Sequence, residues 1–331
     1  MNITVKQIAE MVDVSKQAVY SVLSNKPRCL VSAEKKEKIL FLARAYHYKQ
    51  NIAAVSLNGK STLQIGAVID NFTNTEGRIL THLSRKLAIE NFSLQASAMT
   101  SVLQGMEMVQ RYISSGADAV VFSGRRLKNL HYAEYGKPLL AIDEEFGTDY
   151  SAGCRQVTEH LIHCHGHRKI LHVASEKGAF PKYLGYREAM KKAGLTPLPV
   201  LHTILNSEFS NELKRYLDKG VTAFVVSGDD KASRLIYLLR SIGVRVPEDA
   251  AVVGFDGFGD YPEIASVVDP VEQVAALGCQ MLLEKIRGNV LQALKPRMVE
   301  PSFQPSASCG CPPIRFDNIG EYYSDNGLIL K

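Results

Sequence analysis

Two periodicities divide the chain. Over residues 3–46 apolar positions recur every three or four residues, and from Leu63 onward short apolar runs alternate with helical periods. In the first stretch Val5, Ile8, Ala9 and Val12 stand at i, i+3, i+4 and i+7, which is one helix face. Thr4 with Gln7 gives the Thr-x-x-Gln signature of a capping box. Asp13 interrupts the pattern where a tight turn calls for a left-handed residue, a conformation Asp tolerates better than most types. Ser15 suits the N-cap of a second helix running to about Ser24. At about 100° per residue, Ala18, Val19, Val22 and Leu23 fall on one side of it, and Lys16, Gln17, Tyr20, Ser21 and Ser24 on the other. A third helix follows Ser32, with Ile39, Leu40, Leu42, Ala43 and Tyr46 as its apolar stripe. Two short helices joined by a tight turn, then a third, describe a helix-turn-helix.

The remainder predicts nine strands, at 64–69, 93–98, 117–123, 138–142, 169–174, 199–204, 222–226, 251–255 and 266–268. Helical periods lie between them, near 76–91, 103–115, 149–164, 182–194, 207–219, 229–242 and 271–287. Such alternation means parallel sheets covered on both faces. This many strands fit two doubly wound subdomains better than one. The expected fold is α/β: a three-helix headpiece over 1–50, a linker over 51–60 and a doubly wound body over 61–311. The body divides into one subdomain of about 61–148 and 270–300 and another of about 149–269 and 301–311, leaving a tail at 312–331. Ligands in doubly wound folds bind beyond the strand C-termini. Asp70, Arg125, Asp143, Asp229 and Asp256, together with Ser123, are therefore candidates for a small-molecule site.

Charge changes the picture more than composition does. The 331 residues are 46% hydrophobic, ordinary for globular protein, and the formal net charge is +5. Residues 1–60 hold ten Lys/Arg against four Asp/Glu, whereas residues 61–331 are almost neutral. The excess positive charge belongs to the headpiece, which points to a polyanion: nucleic acid or an anionic membrane. A plain three-helix bundle with a solvated polar face would leave that charge unexplained. The first residues lack the apolar core of a signal peptide, and no run approaches the ~18 apolar residues of a spanning helix. A cytoplasmic protein without membrane partners is expected, with its six cysteines as free thiols.

For a helix-turn-helix, the second helix enters the major groove. Lys16 suits guanine O6/N7 and Gln17 suits adenine N6/N7, with Tyr20 and Ser21 beside them on the base-facing side. Thr4, Arg28, Ser32 and Lys35 are phosphate candidates. Residues 51–58 are weakly amphipathic and too few for a stable lone helix.

Enzyme signatures fail. Gly254-Phe-Asp-Gly257-Phe-Gly259 has no glycine three beyond, and Gly59-Lys60-Ser61-Thr62 follows no strand. Neither His-Glu-x-x-His nor Gly-x-Ser-x-Gly occurs. His160, His163, Cys164, His165 and His167 crowd eight residues, and His160 and Cys164 stand one helical turn apart, so a metal site is conceivable. Cys309-Gly310-Cys311 could chelate or pair, but no second cysteine pair accompanies it. Neither group is read as a metal site, and the expectation is no metal and no cofactor.

Over residues 3–310 the chain resembles the lactose-repressor (LacI) family of bacterial transcription regulators. The resemblance rests on Val5-Lys6-Gln7-Ile8-Ala9, Val14-Ser15-Lys16-Gln17-Ala18-Val19 and Val22-Leu23-Ser24-Asn25. It continues in Glu159-His160-Leu161, Gly166-His167-Arg168-Lys169-Ile170, Gly185-Tyr186-Arg187, Val246-Pro247-Glu248-Asp249 and Val252-Val253-Gly254-Phe255-Asp256. It implies a body like the periplasmic binding proteins and a hinge helix at 51–58 that forms on operator DNA. It also places Leu57 where the family inserts a leucine wedge into the minor groove, an act that kinks the duplex. Effector-driven closure would then move the hinge segments and change DNA affinity.

Four departures follow. Tyr20-Ser21 stands where the family often has Ser-Arg, so the operator should differ. Gln50, not proline, precedes the hinge Asn51. The family's effector-site arginine is Lys182, which keeps charge without the planar fork, Gly228 replaces an asparagine before Asp229, and Asn74-Thr75-Glu76-Gly77 replaces Asn-Pro-Phe-Phe. The segment Glu144–Tyr150 is short, which predicts a missing strand and an abbreviated crossover. The expected function is a homodimeric DNA-binding repressor of a near-palindromic operator, gated by a small-molecule effector such as a sugar. The alternatives are a regulator whose body only dimerises or docks protein, and a small-molecule binding protein or α/β enzyme.

Overall fold

The structure is a computed structural model. It describes residues 3–23, 31–48, 61–73, 75–128, 130–174, 181–202, 207–257 and 261–312. Arg28, Leu57, the hinge segment 51–58 and the tail beyond 312 lie outside the described residues. The chain divides into two units, Met1–Thr62 and Leu63–Lys331.

The first unit contains α1 (Val5–Val12), α2 (Lys16–Leu23) and α3 (Ala33–Ala45). Thr4 and Gln7 close a reciprocal capping box at the start of α1. Asp13 ends the helix in the left-handed region, at φ 52°. Ser15 accepts from the Ala18 N–H at the start of α2, and Ser32 accepts from the Lys35 N–H at the start of α3. Ile8, Val12, Val19, Val22, Ile39 and Leu42 form the core between the three helices. Tyr46 is not part of it: α3 stops at Ala45, Tyr46 becomes its exposed C-cap, and Tyr48 packs against the core instead.

The second unit holds two six-stranded sheets. Its strands are β1 (Gln64–Ile69), β2 (Ser93–Ala98), β3 (Ala119–Ser123), β4 (Leu139–Ile142), β5 (Phe146–Thr148), β6 (Ile170–Ala174), β7 (Leu201–His202), β8 (Ala223–Val226), β9 (Ala251–Asp256), β10 (Ala265–Val268), β11 (Arg297–Val299) and β12 (Ser302–Gln304). Its helices are α4 (Thr75–Ile89), α5 (Val102–Ser114), α6 (Tyr150–His163), α7 (Pro181–Lys192), α8 (Ser207–Asp218), α9 (Asp229–Ser241) and α10 (Val271–Gly288). One sheet runs β11-β5-β4-β3-β1-β2 and the other β12-β10-β9-β8-β6-β7. The first is parallel throughout, and in the second only β12 is antiparallel, against β10.

The chain passes from one sheet to the other three times, before α6, before α10 and between β11 and β12. α6 packs on the second sheet through Cys154, Val157 and Leu161, and α10 packs on the first through Val274, Ala275 and Leu282. The central strands β1, β3, β4, β8 and β9 are buried almost throughout, as fits strands covered on both faces. β5 corrects the expectation of a missing strand. Its Phe146 is fully buried, and a Cβ on Gly278 of α10 would collide with that ring, so the segment is anchored despite its length.

Under the edge of the first sheet Lys285 of α10 is fully buried beside Glu145, at 2.8 Å. Glu145 also accepts from Tyr132 Oη at 2.8 Å and from the N–H groups of Ala141 and Leu294. Lys285 donates to the Leu139 carbonyl as well. The buried pair is therefore hydrogen-bonded on both sides, the condition under which burial of two charges is tolerated.

Candidate functional site

Two regions concentrate the predicted residues. On α2, Val19 and Val22 turn into the core while Lys16, Gln17 and Tyr20 are exposed. Ser21 is half-buried, and its hydroxyl donates to the Gln17 carbonyl at 2.9 Å, within its own helix. Thr4 is engaged with Gln7 and exposed. Lys35 Nζ donates to the Asp13 carbonyl at 2.9 Å, tying α3 to the helix-turn-helix turn. Ser32 is exposed at the N-terminus of α3, where backbone N–H groups and the helix dipole favour an anion.

The second region lies at the carboxyl ends of the strands. In each sheet the chain reverses its direction of winding about a central strand, between β1 and β3 and between β6 and β8, the place where doubly wound folds bind ligands. Asp70 follows β1 and faces Arg126 at 3.5 Å. Ser123, the last residue of β3, is buried and donates to Glu76 Oε1 at 2.5 Å. Glu76 Oε2 accepts from the Asp70 N–H. Burial raises the Glu76 carboxyl above its usual range, against the lowering effect of these two donors.

Arg125 reaches Asp143 through Nε at 2.7 Å and through its terminal nitrogen at 2.6 Å. Lys182 reaches Asp256 at 3.3 Å and the Ser227 carbonyl at 3.0 Å. Asp143 and Asp256 are both left-handed, at φ 64° and 99°. Each sits immediately beyond or at the end of its strand, so strained backbone holds the two acids here. Arg125 lies 4.9 Å and Lys182 5.1 Å from the centre of the Tyr150 ring, and Lys182 lies 3.7 Å from that of Phe255. A residue from the loop after β3 and one from the first turn of α7 thus meet on the first residue of α6.

Asp229 is different from the other candidates. It is buried, and its oxygens accept from Ser266 Oγ at 2.7 Å and from the Gly257 N–H at 2.9 Å. It braces the tips of β9 and β10 from below.

Four participants were not among the predicted site residues, although Glu76 lies in the Asn74–Gly77 stretch that departs from the family pattern. Tyr150 and Glu76 begin predicted helices, and Arg78 donates to the Asp256 carbonyl at 3.2 Å. Asp269 follows β10 directly, in the position that singled out the other acids, and the same strand-end rule finds it. It is buried, accepts from Thr75 Oγ1 at 2.8 Å, and leaves its second oxygen without a hydrogen bond. Burial first, and then the nearby Asp256 charge, push its pKa up to about 7. The crevice so built presents hydrogen-bond acceptors, the cations Arg78, Arg125, Arg126 and Lys182, and an aromatic face, with its opposite charges close to balance.

The fold and this crevice define a two-subdomain periplasmic-binding-protein-like body carrying a helix-turn-helix unit. The family described as "Periplasmic binding protein-like domain" matches residues 158–309. Among curated proteins, the chain is 25% identical to a ribose operon repressor of Halalkalibacterium halodurans, over 88% of this chain and 93% of that one. It is 26% identical to the HTH-type transcriptional regulator GntR of Escherichia coli, over 90% and 95%. Among solved structures, it superimposes on the Lac repressor dimer bound to operator and an anti-inducer with a TM-score of 0.75. That likeness is 18% identical and covers 93% of this chain and 99% of that one. The likeness to these transcription regulators runs over most of the chain, headpiece and body together. Among the described residues, no helix is long and apolar enough to cross a membrane.

Proposed function

We propose that the protein is a homodimeric, cytoplasmic, sequence-specific repressor that binds a near-palindromic operator and is gated by a small polar metabolite. The observation that carries this reading is the pairing, in one chain, of an exposed polar first turn on α2 with a charged crevice at the switch points of two parallel sheets. Lys16 and Gln17 read base edges, Tyr20 adds a third contact, and Ser21 contributes mainly through its own helix. Ser32, Thr4 and the positive headpiece contact phosphates, with Arg28 and Leu57 acting from segments outside the described residues. Lys35 braces the turn as well as adding charge.

In the body, Arg125, Asp143, Lys182, Asp256 and Asp269 surround the effector, with Tyr150 as its stacking face. Alternating acids and cations at near balance favour a polyhydroxylated ligand, a sugar or a related metabolite, whose hydroxyl groups both donate and accept. Asp70 and Ser123 line the approach, while Asp229 acts by holding Gly257 and Ser266 in place. Two relatives' names support the reading, since one is a ribose operon repressor and another a sucrose operon repressor.

Selection of bound sequences from random DNA tests it directly. The expected result is one enriched near-palindrome whose affinity falls steeply with salt. Lys16→Ala or Gln17→Ala then relaxes preference at one or two positions by about 1–3 kcal/mol each. No enrichment at all, or an equal loss on every sequence, would overturn the assignment. Repeating the selection with a panel of sugars and sugar acids identifies the effector, and Lys182→Met should abolish its influence while leaving operator binding intact.

A further inference from the structure

The two groups that the sequence keeps apart, one beginning at His160 near the end of α6 and one beginning 149 residues later at Cys309, meet in space. His160 lies in the last turn of α6, and His165 in the turn that follows it. Cys309 and Cys311 flank Gly310 just after β12. Their Nε2 and Sγ atoms all lie within 4.8 Å of one another. His160 Nε2 is 3.1 Å from His165 Nε2. Cys311 Sγ is 3.5 Å from His160 Nε2 and 3.3 Å from His165 Nε2, and Cys309 Sγ is 4.0 Å from His160 Nε2.

These lengths match the edges of a coordination tetrahedron. With Zn–S of about 2.3 Å and Zn–N of about 2.0–2.1 Å, a regular tetrahedron has N···N edges of about 3.4 Å and N···S edges of about 3.6 Å. The four edges given scatter on both sides of those values and every separation is within 4.8 Å, so an ion fits at the centre with shifts of up to about an ångström. Two thiolates and two imidazoles are also the donor set that selects zinc over magnesium or calcium.

The surroundings favour the same reading. The neighbouring His167 is already taken, by Thr222 Oγ1 at 2.9 Å. His163 and Cys164 are exposed and do not belong to the cluster. Gly310 is left-handed, at φ 95°, which turns the chain so that both flanking sulfurs face one point. The Phe303 ring packs on His160, with centroids 4.7 Å apart, and shields one side of the cluster from water.

We propose that His160, His165, Cys309 and Cys311 bind one Zn2+. Loading takes the proton from each thiol, so two protons leave for each ion bound, and both imidazoles coordinate in the neutral form through Nε2 with their protons on Nδ1. The ion fastens the segment after the last strand to the end of α6. That helix begins at Tyr150 in the crevice, so the clasp sits at the other end of an element that helps build the effector site.

The test uses the full chain. Protein made with zinc in the medium and dialysed against metal-free buffer is assayed for metal by elemental mass spectrometry. The expected content is about one Zn2+ per chain. Reconstitution with Co2+ should give the visible bands of a tetrahedral site together with thiolate-to-cobalt charge transfer. Cys311→Ser and His165→Ala, both at half-exposed positions, should each lower zinc affinity at least tenfold, with circular dichroism unchanged. His163→Ala should retain full content. Chelator should lower the melting temperature of the parent by several degrees and leave that of Cys311→Ser unmoved. Zinc-free parent protein, an octahedral cobalt spectrum, or equal zinc content in Cys311→Ser and His165→Ala would each overturn the proposal.

Discussion

Asp269 makes the crevice a source of pH-dependent instability. Its carboxyl titrates near 7 in the folded protein and near its ordinary 3.8 when the chain unfolds. Between those values the native state holds a proton that the unfolded state has lost. Stability therefore falls as pH rises through this window, in full by pH 8, and is recovered below about pH 4. Roughly three units at about 1.4 kcal/mol each place the upper limit near 4 kcal/mol, lowered by whatever the crevice gains through relaxation. The groups facing Asp269 come from several elements: Asp256 at the end of β9, Asp143 after β4, Lys182 on α7 and Thr75 on α4. The acids oppose its ionisation, whereas Lys182 and the Thr75 hydroxyl favour it.

Asp269→Asn isolates the effect, because an amide keeps the acceptor for Thr75 and cannot ionise. Urea unfolding of both proteins from pH 4 to pH 8.5 should show near-equal stability at the acid end. The variant should be the more stable by about 2–4 kcal/mol at the alkaline end. Other titrating groups are common to both proteins and cancel in the difference. A gap that stays flat with pH, or a variant less stable at pH 8.5 than the parent, would refute the burial argument. If the gap opens as expected, a ligand that donates a hydrogen bond to Asp269 binds to a site already strained in its favour.

Two further perturbations test the structural reasoning. Lys285→Met removes the cation from a buried pair and leaves Glu145 uncompensated, so unfolding at neutral pH should lose about 3–5 kcal/mol, and adding Glu145→Gln should restore part of it; a loss under 1 kcal/mol would mean that the pair is hydrated. Thr4→Ala removes the hydroxyl arm of the capping box, leaving the Gln7 side chain on the backbone N–H of residue 4, and should destabilise the headpiece by about 0.5–2 kcal/mol, read from amide exchange in α1, while exchange in the body stays unchanged.

The parts of the fold that the sequence displays are those with one strong local cause. The strands β1, β3, β8 and β9 are apolar runs because both their faces are covered. The headpiece helices show their caps and their 3.6-residue period directly. Three strands left no such trace. β5, β11 and β12 have three residues each, β11 is largely exposed and β12 half-buried, so neither run length nor alternation marks them. They exist because the chain crosses three times between the sheets and must leave each one along an edge. Tyr46 failed for a different reason: helical spacing continues one residue beyond the helix, and spacing alone cannot see the cap.

The candidate site follows the same division. The strand-end rule located Arg125, Asp143 and Asp256 because the sheet's topology alone puts those positions at the crevice. It could not distinguish Asp229, whose carboxylate is absorbed by Ser266 and Gly257, since that depends on how β9 and β10 pair. The His/Cys cluster is the extreme case. Each half, weighed where it stands in the sequence, lacks ligands, and the crossing that brings β12 back beside α6 is what completes four. Chemistry carried by pairs of distant segments is legible only after the crossings are known, so in this fold the return strand and the turn after α6 have to be read as one element.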